Sequence, residues 1–104
     1  MIYRLQTSPE ADRDVDEIAD YLAERSVRAG TRFLTQVAST LDRIRVDTGR
    51  GMHLRLEEPE LAGILWHRVD EFPNHLIFFR VEGDLVFVLR ILHGARDWKS
   101  ALEG

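Results

Sequence analysis

Arg90, His93 and Arg96 fall close together in FVLRILHGARDW, the segment from Phe87 to Trp98. An apolar run carries Arg90 inside it, stops at a His-Gly pair and continues into Arg-Asp-Trp. These are residue types that metal-free RNA cleavage uses. That chemistry needs a base for the 2′-hydroxyl, an acid for the leaving oxygen and cations for the phosphorane charge. His93 could be the acid or the base, and Arg90 and Arg96 could hold phosphate. Arg68, on a strand expected to lie alongside, could join them. Plainer roles fit the same residues. Arg90 could pair with a carboxylate such as Glu71 or Asp97, His93 could cap the strand end, and Arg96 could pair with Asp97. No second general acid–base group accompanies His93, which weighs against catalysis.

Other chemistries find less support. His53, His67, His75 and His93 lack the HxxxH spacing of a zinc site, and the chain has no cysteine, so neither metal nor cofactor is expected. Thr48 to Gly51, TGRG, lacks the GxxxxGK[ST] spacing of a phosphate loop and reads as a helix-breaking turn. No serine or threonine sits in a GxSxG context.

The chain has 104 residues, 44% hydrophobic and 31% charged, which predicts one domain over 1–104 of the soluble globular class. No apolar run approaches a membrane span. The start, MIYRLQTSPEADRD, lacks the basic and apolar regions of a signal peptide. Lack of cysteine suits a cytoplasmic location. The net charge is −4. A protein that draws its affinity from phosphates usually carries net positive charge, so direct nucleic-acid binding is disfavoured. The charge is uneven, however: residues 28–56 hold six arginines against two acids, enough for a local basic patch.

These residues need a scaffold. Ile2 to Gln6, IYRLQ, alternates as a half-buried strand does. In SPEAD, Ser8 can cap a helix, Pro9 suits its first position, and Glu10 and Asp12 suit its positive end. Ala11, Val15, Ile18 and Leu22 form one stripe, and the helix should end near Arg25 or Ser26. A second helix, from about Ala29 to Val46, carries the stripe Phe33, Val37, Leu41 and Ile44. A connection around Ser26 to Arg28 makes the two an antiparallel hairpin. Strands follow at Ile64 to Phe72, Leu76 to Val81 and Leu85 to Leu92, with turns predicted at Phe72 to His75 and Glu82 to Asp84. The order predicts an α+β fold: an N-terminal strand, then a helical hairpin packed on one face of a small antiparallel sheet, then a short tail.

Strict alternation puts Leu85, Phe87, Leu89 and Ile91 on one sheet face and Val86, Val88, Leu92 and Arg90 on the other. In the preceding strand, Leu76 and Phe78 oppose Ile77, Phe79 and Val81. Both faces are therefore apolar, and two helices cover only one. The expected cover for the other is a second protein chain; the alternative is the chain's own tail, folding back with Trp98 and Leu102.

SPEADRDVDEIADYLAE after a short strand, the hairpin, and the ending RILHGARDW together resemble the ParE branch of the ParE/RelE toxin superfamily. The resemblance spans nearly the whole chain, and Arg-x-x-His-Gly-x-Arg-Asp (Arg90, His93, Gly94, Arg96, Asp97) is its most specific part. It implies a RelE-like fold and the toxin of a type II toxin–antitoxin module of the plasmid-stabilisation type. The implied partner is a ParD-like antitoxin, which would alone contact operator DNA and would dock on Phe79, Val86, Val88 and Leu92. The implied activity is non-enzymatic inhibition of DNA gyrase, with Arg90, His93, Arg96 and Trp98 as target contacts. The alternatives are a ribosome-dependent mRNA endoribonuclease using Arg90, His93 and Arg96, or an inactive toxin that serves only as corepressor. RelE-type nucleases are strongly basic and carry further catalytic residues near the C-terminus. The negative charge here, and tyrosines only at Tyr3 and Tyr21, favour the ParE branch.

Overall fold

A computed structural model describes residues 2–54 and 59–103. The elements are β1 (Arg4–Thr7), α1 (Pro9–Ala23), α2 (Val27–Val46), β2 (Met52–His53), β3 (Leu65–Val69), β4 (Phe72–Glu82), β5 (Leu85–His93) and α3 (Trp98–Glu103), with 3₁₀ turns at Thr48–Arg50 and Pro59–Leu61. The sheet order is β1-β5-β4-β3-β2. The β3–β4–β5 part is the expected antiparallel meander, but β1 pairs parallel to β5, so the sheet is mixed.

Both long helices start as their sequences dictate. The Ser8 hydroxyl accepts from the Ala11 N–H at 2.9 Å, and Pro9 follows in the first turn, where no donor is needed. Ser26 caps α2 by accepting from Ala29 N–H at 3.2 Å. The hairpin is tight because Gly30 lies against α1: a Cβ there would stand 2.7 Å from the Ala19 carbonyl oxygen. The facing stripes bury Ala11, Ala19, Phe33, Val37, Leu41 and Ile44 against Val69, Ile77, Phe79, Val86, Val88 and Ile91.

The opposite sheet face is also dry, and the chain covers it itself. Phe78 and Leu92 pack with Leu61, Ile64, Trp98, Ala101 and Leu102. The Trp98 indole stacks on the Phe78 ring at 5.7 Å between centroids. The expectation of a second chain on this face is therefore corrected. Six residues of tail, coiled as α3, together with the Pro59–Leu61 turn, remove that apolar area from water.

Two further expectations change. Phe72 to His75 is not a turn: β4 begins at Phe72, and the chain reverses at Asp70 and Glu71. Glu71 takes the left-handed φ of 66° and is held there by Arg32, at 2.8 Å, and by the Gln36 side chain. Pro73 is tolerated because the β3–β4 register is irregular there and β5 pairing starts only at His75. The second change is in β5. Phe78 pairs with Arg90 and Phe79 with Val88, so Leu89 is an extra residue in a bulge. The bulge resets the alternation. Ile91 joins Val86 and Val88 beneath the helices, and Leu92 passes to the α3 side with Leu89.

Candidate functional site

The bulge in β5 decides where the candidate residues go. β1 pairs with β5 only as far as Thr7 opposite Val88. Beyond that point α1 takes over the strand edge. Ser8 donates its hydroxyl to the Leu89 carbonyl at 2.7 Å, and Asp14 Oδ2 accepts from Ile91 N–H at 3.0 Å. The same carboxylate grips Arg90: Nε to Oδ2 is 2.7 Å and Nη2 to Oδ1 is 2.8 Å. The Arg90 side chain is 19% exposed and that of Asp14 is 6%. The remaining guanidinium nitrogen, Nη1, reaches the Ala101 carbonyl of α3 at 3.4 Å. Hydrogen bonding to Asp14 raises the Arg90 pKa further above its already high value. Arg90 thus ties α1, β5 and α3 together, and its partner is neither Glu71 nor Asp97.

Asp14 is the residue that sequence reasoning missed. A signal was present: Asp14 lies three residues after Ala11 and four before Ile18, inside the apolar stripe of α1. A carboxylate on a buried stripe requires a cation, because unpaired charge is costly to desolvate.

His93 ends β5 opposite His75, with the two imidazoles edge to face at 5.1 Å. His93 Nδ1 accepts from Ala95 N–H at 3.0 Å, which places the ring proton of the neutral form on Nε2. His75 turns toward the helix side, 5.2 Å from the Phe33 ring, and its Nδ1 is buried without a partner among the described residues. Burial and the neighbouring His93 lower the His75 pKa. Arg96 is exposed, and its backbone N–H closes the turn on the His93 carbonyl at 3.0 Å. Asp97 pairs with α3 rather than Arg96, accepting from Ser100 Oγ at 2.8 Å and from Ser100 N–H at 3.3 Å. The hydrogen bonds to Ser100 lower the Asp97 pKa.

The structure brings Arg68 and His93 to one cleft of about 270 Å³, with Trp66, Pro73, Asn74, Leu76, Gly94 and Ala95 as its other walls. It takes Arg90 away from that cleft and into the pair with Asp14. Trp98 is only partly exposed, with its ring over Phe78. Phe79, Val86 and Val88 are 0% exposed beneath the hairpin and Leu92 is 1% exposed beneath α3, so a docking partner cannot reach these four side chains in this conformation. That corrects the expected docking set. Its physical reason is that the hydrophobicity of these residues is already satisfied within the chain. Among the described residues no three His, Cys, Asp or Glu side chains converge as metal ligands would, and no helix is long and apolar enough to cross a membrane.

The architecture has relatives. It superposes on a chain of the chromosomal ParDE toxin–antitoxin system of P. aeruginosa with a TM-score of 0.70 and 19% identity, covering 88% of this chain and 96% of that one. A chain of the RelBE2 toxin–antitoxin complex of Mycobacterium tuberculosis gives a TM-score of 0.59 and 21% identity, covering 89% and 99%. At these identities the likeness concerns the fold. No curated protein sequence matches the chain. The family model for the ParE toxin of the type II toxin–antitoxin system parDE matches residues 5–98, so the strand, hairpin and His-Gly ending described above are those of a member of the ParE toxin family.

Proposed function

We propose that this ParE-family toxin acts by binding rather than by cleaving, that its target is DNA gyrase, and that a ParD-like antitoxin neutralises it in the cytoplasm. The observation that carries the choice of binding over cleavage is the Asp14–Arg90 pair. An RNA-cleaving site needs free cations converging on one phosphate, together with an acid and a base. Arg90 is charge-compensated and turned toward α1 and α3. That leaves His93 with Arg68 and, among the described residues, no partner acid or base in their cleft.

The antitoxin reading rests on family membership and on the structural relatives, which belong to toxin–antitoxin systems. It no longer rests on an open sheet face. Apolar surface for a partner remains on the hairpin, where Tyr21 is 58%, Val27 76% and Leu34 44% exposed. Arg96 and the outer edge of Trp98 are the proposed target contacts, an arginine and an aromatic being common interface anchors.

The test is a supercoiling assay with purified toxin. Gyrase inhibition relieved by co-purified antitoxin and weakened at least tenfold by Arg96→Ala is the expected result. Normal supercoiling at saturating toxin, with codon-specific cuts in translated messages that vanish in His93→Ala, would establish the nuclease instead. Harmless expression of the chain alone would favour the corepressor.

A further inference from the structure

The cleft at the end of β4 and β5 differs from the rest of this acidic surface. The chain carries 18 acids, yet none lines this cleft among the described residues. Its side chains offer several donors. Arg68 is exposed and makes no ion pair among the described residues; its guanidinium lies 5.2 Å from the centre of the Trp66 indole. His93 offers Nε2–H, because Nδ1 is engaged by Ala95 N–H. The Asn74 side-chain amide, which lines the cleft, can add a third donor, and the Asn74 backbone carbonyl is taken by Gly94 N–H at 2.7 Å. Nearby Asp97 does not oppose an anion here, since its carboxylate is turned to Ser100.

We propose that this cleft binds a small phosphate monoester carried on a flat ring, the chemistry of a nucleoside monophosphate. The phosphate oxygens accept from Arg68, His93 Nε2–H and Asn74, in charge-assisted contacts that a planar guanidinium favours. The ring lies along the Trp66–Arg68 stack, as bases do on indole and guanidinium planes. A small ligand fits better than a polynucleotide. Strand binding draws its affinity from a track of cations, whereas the cleft is about 270 Å³ and the chain as a whole carries −4. The proposal is independent of gyrase inhibition, and its test reads binding alone.

The experiment titrates AMP, inorganic phosphate and a short single-stranded oligoribonucleotide into the full chain at constant ionic strength, followed by two-dimensional NMR. Saturable shifts with AMP at the Trp66 indole N–H and at the Gly94 and Ala95 amides are expected. Arg68→Gln should raise the dissociation constant about tenfold, the worth of one charged hydrogen bond; Arg25→Gln, at the end of the helical hairpin, should leave it unchanged. Because Arg68 is exposed, the Gln variant is expected to keep the parent amide spectrum elsewhere, and His93→Gln provides a second lesion in the same cleft. Inorganic phosphate binding more weakly than AMP supports a contribution from the ring. Shifts that rise linearly without saturating, or that are identical in Arg68→Gln, overturn the site. An oligonucleotide binding more tightly than AMP overturns the small-ligand assignment.

Discussion

Asp14 and Arg90, 76 positions apart in sequence, meet through two charge-assisted hydrogen bonds of 2.7 and 2.8 Å, and the same carboxylate caps the backbone N–H of Ile91. The contact lies where β1 has ended and β5 bulges, so it supplies partners to backbone that the ladder no longer serves. It joins α1 to the sheet at the point where the proposed target-contact segment begins. An arginine that looks available in sequence is structural.

Removing Asp14 leaves the Arg90 charge without its partner and the Ile91 N–H without its acceptor. Asp14→Ala is expected to cost about 3 kcal/mol or more, the usual penalty for breaking a buried pair from one side. Replacing both, Asp14→Leu with Arg90→Met, should cost less than the two single losses added together. Urea unfolding of the two singles and the double measures this. Additive losses would mean that the two side chains do not depend on each other.

The second sheet face makes α3 part of the core. Trp98→Ala removes the ring that covers Phe78. The expected loss is about 2 kcal/mol, below the ~3–5 kcal/mol of a fully buried aromatic because Trp98 is partly exposed. The variant should also bind an apolar dye such as anilinonaphthalene sulfonate more strongly than the parent. An unchanged urea midpoint and no gain in dye binding would show that α3 lies on the sheet without sealing it.

The hairpin depends on Gly30. Replacing a helical glycine by alanine normally stabilises by about 1 kcal/mol. Here the new methyl would meet the Ala19 carbonyl oxygen at 2.7 Å and the Ala23 Cβ at 2.9 Å. Overpacking of this kind costs roughly 1–3 kcal/mol, so Gly30→Ala should be net destabilising. A thermal melt decides the sign, and a raised Tm would mean that the helices can separate at little cost.

Much of this arrangement could be read from local chemistry. Ser8 and Pro9 mark the start of α1 because capping depends only on neighbouring residues. The apolar stripes give the helices, and the run from Leu76 to Leu92 gives the central strands. What escaped depends on contacts distant in sequence. Phe72 to Asn74 has turn chemistry, yet the turn sits at Asp70 and Glu71 because Arg32 and Gln36 of α2 hold Glu71 at positive φ. Strict alternation puts Ile91 and Leu92 on the wrong faces because it presumes an unbroken pleat, and the Leu89 bulge breaks it. Within the candidate site, Arg68 and His93 could be grouped from strand adjacency. Asp14 is flagged by its place on the apolar stripe of α1, but its partner Arg90, and the roles of Trp66 and His75, come only from packing and register.

His75 makes stability depend on pH in a direction that can be derived. Its ring lies against Phe33 and His93, and its pKa is lowered, first by burial and then by repulsion from His93. Of the charged groups at the Asp70–Glu71 turn, Glu71 pairs with Arg32 and Asp70 with Arg43. In the unfolded chain the imidazole titrates near its ordinary value of about 6.5. The unfolded state therefore takes up a proton at higher pH than the folded state, and stability rises with pH across that window. His75 carries its full contribution above about pH 6.5 and loses it as pH falls toward the lowered folded value. His75→Phe keeps an aromatic ring beside Phe33 but cannot titrate. Unfolding free energies at several values between pH 7.5 and 5, a range set by the ordinary imidazole pKa of about 6.5, should diverge. The parent should weaken more steeply than His75→Phe as the solution is acidified. Parallel curves would mean that His75 protonates as readily in the folded protein as in the unfolded chain.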